Sequence, residues 1–237
     1  MKPRPLPLLV VTSLGLGMPA LATYVADEIL HTPSPHEPTL PWLYVHHALW
    51  ALMALTAIAV VKRFVPGDYG LHCPRGKTYI GPAMLWSALF AIIANLVDYA
   101  PHLIAHTKPD PGYPLTLSNV FGWLFFGGVY VGPTEEIPFR ALLVTYLAAT
   151  MPGKVRIGRF EMNLAGVIVA LIFALAHVVN VEVWAWHAYL QQVYAFMIGV
   201  LYAYWLEKSK SVMAPSIGHN VADGVAYAIP VGWSAFF

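Results

Sequence analysis

The chain has 237 residues, of which 58% are hydrophobic and 11% charged, and its formal net charge at pH 7 is +1. Soluble domains carry about 25% charged residues, so this composition excludes an ordinary soluble globule and favours a surface that lies largely in lipid. The single cysteine, Cys73, excludes an internal disulfide framework and a multi-cysteine metal site. The basic loops suit anionic lipid, and the sequence contains no Gly-rich phosphate loop or nucleic-acid patch. We therefore expect a lipid bilayer, and no nucleic acid, as a partner.

A helix that crosses a membrane needs ~20 largely apolar residues. Seven stretches meet this requirement, at 6–26, 41–61, 80–104, 118–150, 162–180, 186–206 and 211–230. The predicted fold is an all-α, polytopic transmembrane helical bundle of about seven spans in one structural domain.

The first stretch has a second interpretation, as a secretory signal. Lys2 and Arg4, the apolar run that follows them and the Ala20-Leu21-Ala22 triplet are typical of a cleaved leader. We favour a retained anchor because the apolar pattern continues to Val25. Cleavage after residue 22 would leave about six spans.

Charge placement gives the orientation. If the spans alternate in direction, all of the 13 Lys and Arg residues except Lys108 and Arg140 fall on one side. By the positive-inside rule that side is the cytoplasm. We therefore predict a multi-pass protein of a prokaryotic plasma membrane, with its amino terminus in the cytoplasm.

The stretch 118–150 is too long for one straight span, because it would measure ~50 Å against a hydrocarbon core of ~30 Å. Gly132-Pro133 offers a place to break it. A break there predicts Thr134 as the N-cap of a half-helix, with Glu135 and Glu136 in its first turn.

Several ionisable side chains lie inside predicted spans, where each costs at least ~2.5 kcal/mol to insert. We interpret the cluster as a functional site rather than as a structural polar network, its members being Glu135, Glu136, Arg140, His177, His219 and Asp223. We assign Asp98, near a span end, to hydrated surface. His46, His47, His102, His106 and His187 are assigned to interfacial belts.

Spacing pairs some members of this cluster. Glu136 and Arg140 are four residues apart on one helix, which is the favourable order for an ion pair. Neighbouring residues on a helix point ~100° apart, so we expect that Glu135 and Glu136 do not face one partner and that Glu135 is free for chemistry. Glu135 and His177 are equally distant from residue 156, the centre of the loop between their spans, so a helical hairpin places them at one depth.

The last span adds a second histidine. His219 and Asp223 are also four residues apart and share a face. Counting from the start of the span places His219 at a shallower depth than Glu135.

Three motifs in this order resemble those of a known family. Glu135–Arg140 matches E-E-x-x-x-R, Phe173–His177 matches F-x-x-x-H, and His219–Asp223 matches H-x-x-x-N/D. Together they resemble the CPBP family of CAAX proteases and bacteriocin-processing enzymes, also called ABI, which includes the type II CAAX prenyl endopeptidases. The resemblance covers about residues 118–230. We accordingly divide the chain into N-terminal spans and loops, 1–117, and a CPBP-like catalytic core, 118–237.

The resemblance implies a glutamate-type intramembrane endopeptidase acting on a membrane-associated protein or peptide, prenylated or not. In that family pattern Glu135 and His177 polarise the attacking water, and Glu136 and Arg140 order the site. His219 and Asp223 would stabilise the oxyanion. Because the family often has Asn where this chain has Asp223, that role requires a protonated carboxyl; otherwise Asp223 orients His219, and Asn220 or a backbone amide completes the hole. The Ala141 that follows Arg140, where Gly is common, is a minor departure.

Three alternatives remain open. Glu135, His177 and His219 could bind Zn²⁺ with water as the fourth ligand. The family resemblance, together with the lack of an H-E-x-x-H helix, leads us to favour a site without a cofactor. A transporter or channel could use the same residues as a proton or ion relay. An inactive relative could act as a scaffold or immunity protein.

Overall fold

The structure, a computed structural model, describes residues 5–32, 39–108, 112–158, 160–177 and 186–236. These residues are mostly helical, as predicted, with one small two-stranded sheet. The elements are α1 (Pro5–Leu30), α2 (Leu40–Val61), α3 (Ile80–Asp98), α4 (Ala100–Ala105), α5 (residues 117–150), β1 (Lys154–Ile157), β2 (Phe160–Asn163), α6 (Leu164–Ala176), α7 (Trp186–Ser209) and α8 (Met213–Phe236). In this part of the chain α1, α2 and α3 are long and apolar enough to cross a membrane. The count of seven spans stays a prediction.

Helix α5 lies at the centre of the bundle. It contacts α1, α2, α6, α7 and α8, while α8 also lies along α3, and α6 along α7. Its side chains Phe139, Leu142 and Leu143 are fully buried in the main apolar core. Helix α1 belongs to the same core, because Gly15 packs so closely on Ile172 of α6 that a Cβ would collide with it. The interpretation of the first stretch as a retained anchor rather than a cleaved signal stays a prediction.

The predicted break at Gly132-Pro133 is wrong. α5 is helical throughout residues 117–150, but its turns widen to π-helix at Phe126–Tyr130 and again at Ile137–Val144. Thr134 is not an N-cap, because its hydroxyl donates back to the carbonyl oxygens of Tyr130 and Val131 inside the helix. Short π-helical segments inside α-helices occur frequently at functional sites.

A side chain from α8 replaces the hydrogen bonds that Pro133 interrupts. Proline lacks the N–H that would pair with the carbonyl of Val129, four residues earlier. The amide Nδ2 of Asn220 donates to that carbonyl at 3.0 Å, and Asn220 Oδ1 accepts from the N–H of Gly132 at 2.7 Å. This amide clip keeps α5 continuous and fixes α8 against it.

The connections on either side of α6 and α7 also differ from expectation. The predicted loop 151–161 is largely an antiparallel hairpin in which Lys154 pairs with Asn163. The turn from α7 to α8 is buried under the segment that follows α2. There, the N–H of Val212 donates to Gly70 O at 3.0 Å, and the Ser211 hydroxyl donates to the carbonyl of His72. Ala214, near the start of α8, is fully buried. His219 lies 3.9 Å from Glu135 despite its short distance from the helix start.

The close contact at Gly132 gives a stability test. A Cβ at Gly132 would overlap the carbonyl oxygen of Ser216 and the amide of Asn220, whereas a Cβ at Gly128, one turn earlier, meets nothing within 4 Å. Gly132→Ala should therefore lower stability by about 1–3 kcal/mol, as overpacking does. Gly128→Ala should be neutral or slightly stabilising. Thermal unfolding of both variants in detergent measures this, and equal melting temperatures would contradict the clip.

Candidate active site

Glu135 lies at the centre of a buried polar cluster and is 6% exposed. Its Oε1 is 3.1 Å from Nε2 of His47 on α2. Its Oε2 is 3.9 Å from Nε2 of His177 and also 3.9 Å from Nε2 of His219. Among the described residues Oε2 has no hydrogen-bond partner. One carboxylate oxygen is thus held, and the other faces two imidazoles.

His177 is the first residue after α6, and the structure brings it beside Glu135 as the hairpin argument predicted. Its Nδ1 is 2.7 Å from the carbonyl oxygen of Phe173. A carbonyl only accepts, so Nδ1 carries the hydrogen. In neutral His177, Nε2 therefore turns a lone pair toward Glu135 Oε2. This is the tautomer that a water-activating imidazole requires.

The predicted pair between Glu136 and Arg140 is confirmed, with Nε 3.0 Å from Oε2 and both side chains fully buried. The contact is one of charge rather than an aligned hydrogen bond, because neither atom has a partner of hydrogen-bonding geometry. The guanidinium Cζ instead lies 4.6 Å from the ring centre of Phe173, 5.6 Å from that of Tyr202 and 5.7 Å from that of Phe139. Aromatic faces attract a desolvated cation, so this cage helps to stabilise the buried charge.

His219 is shared by the two glutamates. Its Nδ1 is 2.9 Å from Glu136 Oε1, and its Nε2 is 3.9 Å from Glu135 Oε2 and 3.7 Å from Asp223 Oδ2. The expectation that the two carboxylates would not face one partner is therefore wrong. The imidazole has nitrogens on two sides, so neighbouring acids that point in different directions can each approach one nitrogen. The ring also stacks on Tyr202, with centroids 5.4 Å apart.

Two side chains, Asn220 and Asp223, were candidates beside a backbone amide to complete an oxyanion hole. The amide of Asn220 is engaged with the α5 backbone on both its oxygen and its nitrogen. Asp223 lies one turn beyond His219 and lines the same cavity. Of the two, only Asp223 remains adjacent to the open side of the cluster.

Sequence reasoning missed His47. It was assigned to an interfacial belt, but it is 7% exposed and contacts Glu135 directly. His46 is also buried, yet it stacks on Trp42 and approaches the hydroxyl of Thr23. The sequence does not indicate that His47 contacts Glu135, because the two residues are 88 positions apart and His47 lies near the end of a predicted span.

Two other histidines in this group, His102 and His106, lie outside the cluster. His102 lies near the Thr107 hydroxyl, with Nδ1 2.9 Å from Oγ1. His106 is exposed, and the side chain of His187 lies outside the described residues.

A cavity of about 820 Å³ leads from this cluster toward α3 and α7. Its polar end consists of Glu135, His177, His219 and Asp223, and Asp98 also lines it. Its walls include apolar side chains such as Ile93 and Val193, which are 62% and 54% exposed on the outer flank. An apolar cavity with a few convergent polar groups is the usual form of a substrate site.

The geometry of the cluster does not match a zinc site as it stands. Among the described residues no three His, Cys, Asp or Glu side chains form a group that could hold a metal ion as they lie. In addition, Nδ1 of His219 is engaged with Glu136. Zinc binding by Glu135, His177 and His219 would require these side chains to move closer together.

Comparison with known proteins finds a family model that matches part of the chain. Residues 117–225 match the family model described as Type II CAAX prenyl endopeptidase Rce1-like. The match begins at the start of α5 and ends within α8, and it contains all six predicted site residues. Neither curated proteins nor solved structures gave a match.

The buried ion pair gives a test that does not require a substrate. Arg140→Met should destabilise the protein by about 3–5 kcal/mol, because it leaves Glu136 charged and buried. The double variant Glu136→Gln/Arg140→Met should lose less, since no uncompensated charge remains. Thermal unfolding in detergent measures both, with Lys154→Met in the exposed pair Lys154–Glu161 as a control that should leave the melting temperature unchanged. A double variant that is less stable than Arg140→Met alone would contradict this account.

Proposed function

We propose that the chain is an intramembrane endopeptidase that hydrolyses a peptide bond in a membrane-associated protein or peptide, because residues 117–225 match the Rce1-like family model. The observation that carries this proposal is the pairing of Glu135 Oε2 with His177 Nε2, 3.9 Å apart, at the polar end of the cavity. A hydrolase without a serine or cysteine nucleophile needs a base beside the attacking water. Glu135 and His177 meet that need.

The proposed reaction starts with a water molecule between these two groups. Two acceptors 3.9 Å apart can both lie at hydrogen-bonding distance, about 2.8 Å, from one water oxygen. Glu135 Oε2 takes a proton as the water oxygen bonds to the peptide carbonyl carbon, and the C=O electron pair moves to oxygen. Collapse of the tetrahedral intermediate restores C=O and breaks the C–N bond. The proton on Glu135 passes to the leaving nitrogen, so the products are a carboxylic acid and an amine.

The oxyanion is stabilised from α8 in this proposal. Glu136, paired with Arg140, accepts from Nδ1 of His219, so a protonated His219 turns its Nε2–H toward the cavity. A donor placed where negative charge develops commonly contributes 10²–10³-fold in rate. Asp223, 3.7 Å from Nε2, either donates when protonated or orients His219 as a carboxylate.

Removing either water-activating group should abolish cleavage. Glu135→Gln and His177→Ala should each reduce kcat by at least about 10³-fold, because general-base catalysis and water positioning are both lost. Internally quenched peptides, with and without a farnesylated cysteine, are suitable probes in detergent or liposomes. The substitutions Glu161→Gln and His102→Gln, at partly exposed positions away from the cluster, are matched controls that should retain full activity. Glu135→Gln turning over as fast as the wild type would exclude the mechanism, and a folded wild type that cleaves no peptide would favour the transporter or scaffold alternatives.

Chelation separates the two ways of activating water. If protein groups alone do so, activity should survive exhaustive treatment with EDTA and 1,10-phenanthroline. Loss of activity that Zn²⁺ restores would instead assign Glu135, His177 and His219 as ligands. Metal content of the purified protein, measured by mass spectrometry before and after treatment, provides the second readout.

A further inference from the structure

We propose that His47 is a positioning residue that fixes which oxygen of Glu135 activates water. The inference rests on the proposed function and extends it to α2, which lies before the Rce1-like domain. It would make the N-terminal helices part of the active site.

The contact between His47 and Glu135 is buried and held at both ends. Side chains of both residues are 8% exposed, and Nε2 lies 3.1 Å from Oε1. On the other side of the ring, Nδ1 is 2.9 Å from the carbonyl oxygen of Leu43, one turn back in α2. The ring also packs edge-to-face on Phe126, with centroids 4.9 Å apart. These contacts leave the imidazole little freedom to turn.

The hydrogens on the His47 ring determine which oxygen of Glu135 is engaged. The Leu43 carbonyl only accepts, so Nδ1 carries a hydrogen. The proposed mechanism needs Glu135 as a carboxylate, so the second hydrogen, between Nε2 and Oε1, belongs to His47, and the imidazole donates to Oε1. Oε1 is then committed, and Oε2 becomes the oxygen that faces His177 and His219.

Without this contact the carboxyl group would lack a fixed orientation. The last torsion of a glutamate side chain is broad and roughly two-fold, so packing alone does not choose between its oxygens. Misplacing a reacting atom by about 1 Å can cost on the order of 10²-fold in rate. A positioning role therefore predicts a loss in kcat rather than in substrate binding.

Three variants test the proposal. His47→Phe keeps the ring volume but removes the donor, and it should lower kcat by about 10- to 100-fold with KM changed less than about two-fold. His47→Gln places an amide N–H near the former Nε2 and should recover most of that loss. His46→Phe is the matched control, because His46 is 8% exposed on the same helix but bonds to Thr23 rather than to Glu135; its kcat should equal that of the wild type.

A double-mutant cycle adds a readout without substrate. The melting temperatures of His47→Phe, Glu135→Gln and the double variant should be non-additive, as expected for residues in contact. A wild type that cleaves peptides, with His47→Phe at full kcat, would overturn this inference and leave the proposed function intact. His47→Gln remaining as impaired as a folded His47→Phe, or an additive cycle, would also overturn it. A wild type that cleaves nothing would overturn both.

Discussion

The buried ion pair between Glu136 and Arg140 is the constraint on which the rest of the site depends. Both side chains are fully buried, and a charge left alone at that depth would be severely destabilising. The pair therefore fixes the rotation of α5. Through its other oxygen Glu136 also holds Nδ1 of His219, so the same carboxylate links α5 to α8. Glu135 is consequently the only α5 acid in the described cluster whose charge Arg140 does not offset.

The amide clip from α8 explains how α5 stays unbroken at Pro133, just before its two buried acids. Pro133 interrupts the backbone ladder just before Glu135, and the amide of Asn220 replaces what is lost. Asn220 is the neighbour of His219 on α8, so the two side chains point in different directions from one turn. Asn220 forms hydrogen bonds with the α5 backbone, and His219 contacts the α5 carboxylates. The clip thus sets the register in which His219 approaches Glu135, and fold and site are stabilised by the same packing.

What the sequence could predict follows from how local each feature is. The Glu136–Arg140 pair is a spacing within one helix, and the meeting of Glu135 with His177 follows from one hairpin, so both were predictable. The continuity of α5 was not, because the rule that Gly-Pro ends a helix takes no account of a side chain arriving from α8. The sharing of His219 by two acids depends on ring orientation. The contact of His47 with Glu135 depends on how α2 packs on α5, which no local pattern encodes.

The contact of His47 with Glu135 crosses the predicted division of the chain into residues 1–117 and 118–237. The motifs place every site residue after residue 117, and on that basis the N-terminal spans are only scaffold. A buried carboxylate must nevertheless be satisfied by donors, since its desolvation is otherwise unfavourable. Within the described residues, the hydrogen bond to Oε1 of Glu135 comes from α2. Residues 118–237 alone would leave that oxygen without this hydrogen bond, so the unit that holds Glu135 in the orientation seen in the structure includes α2.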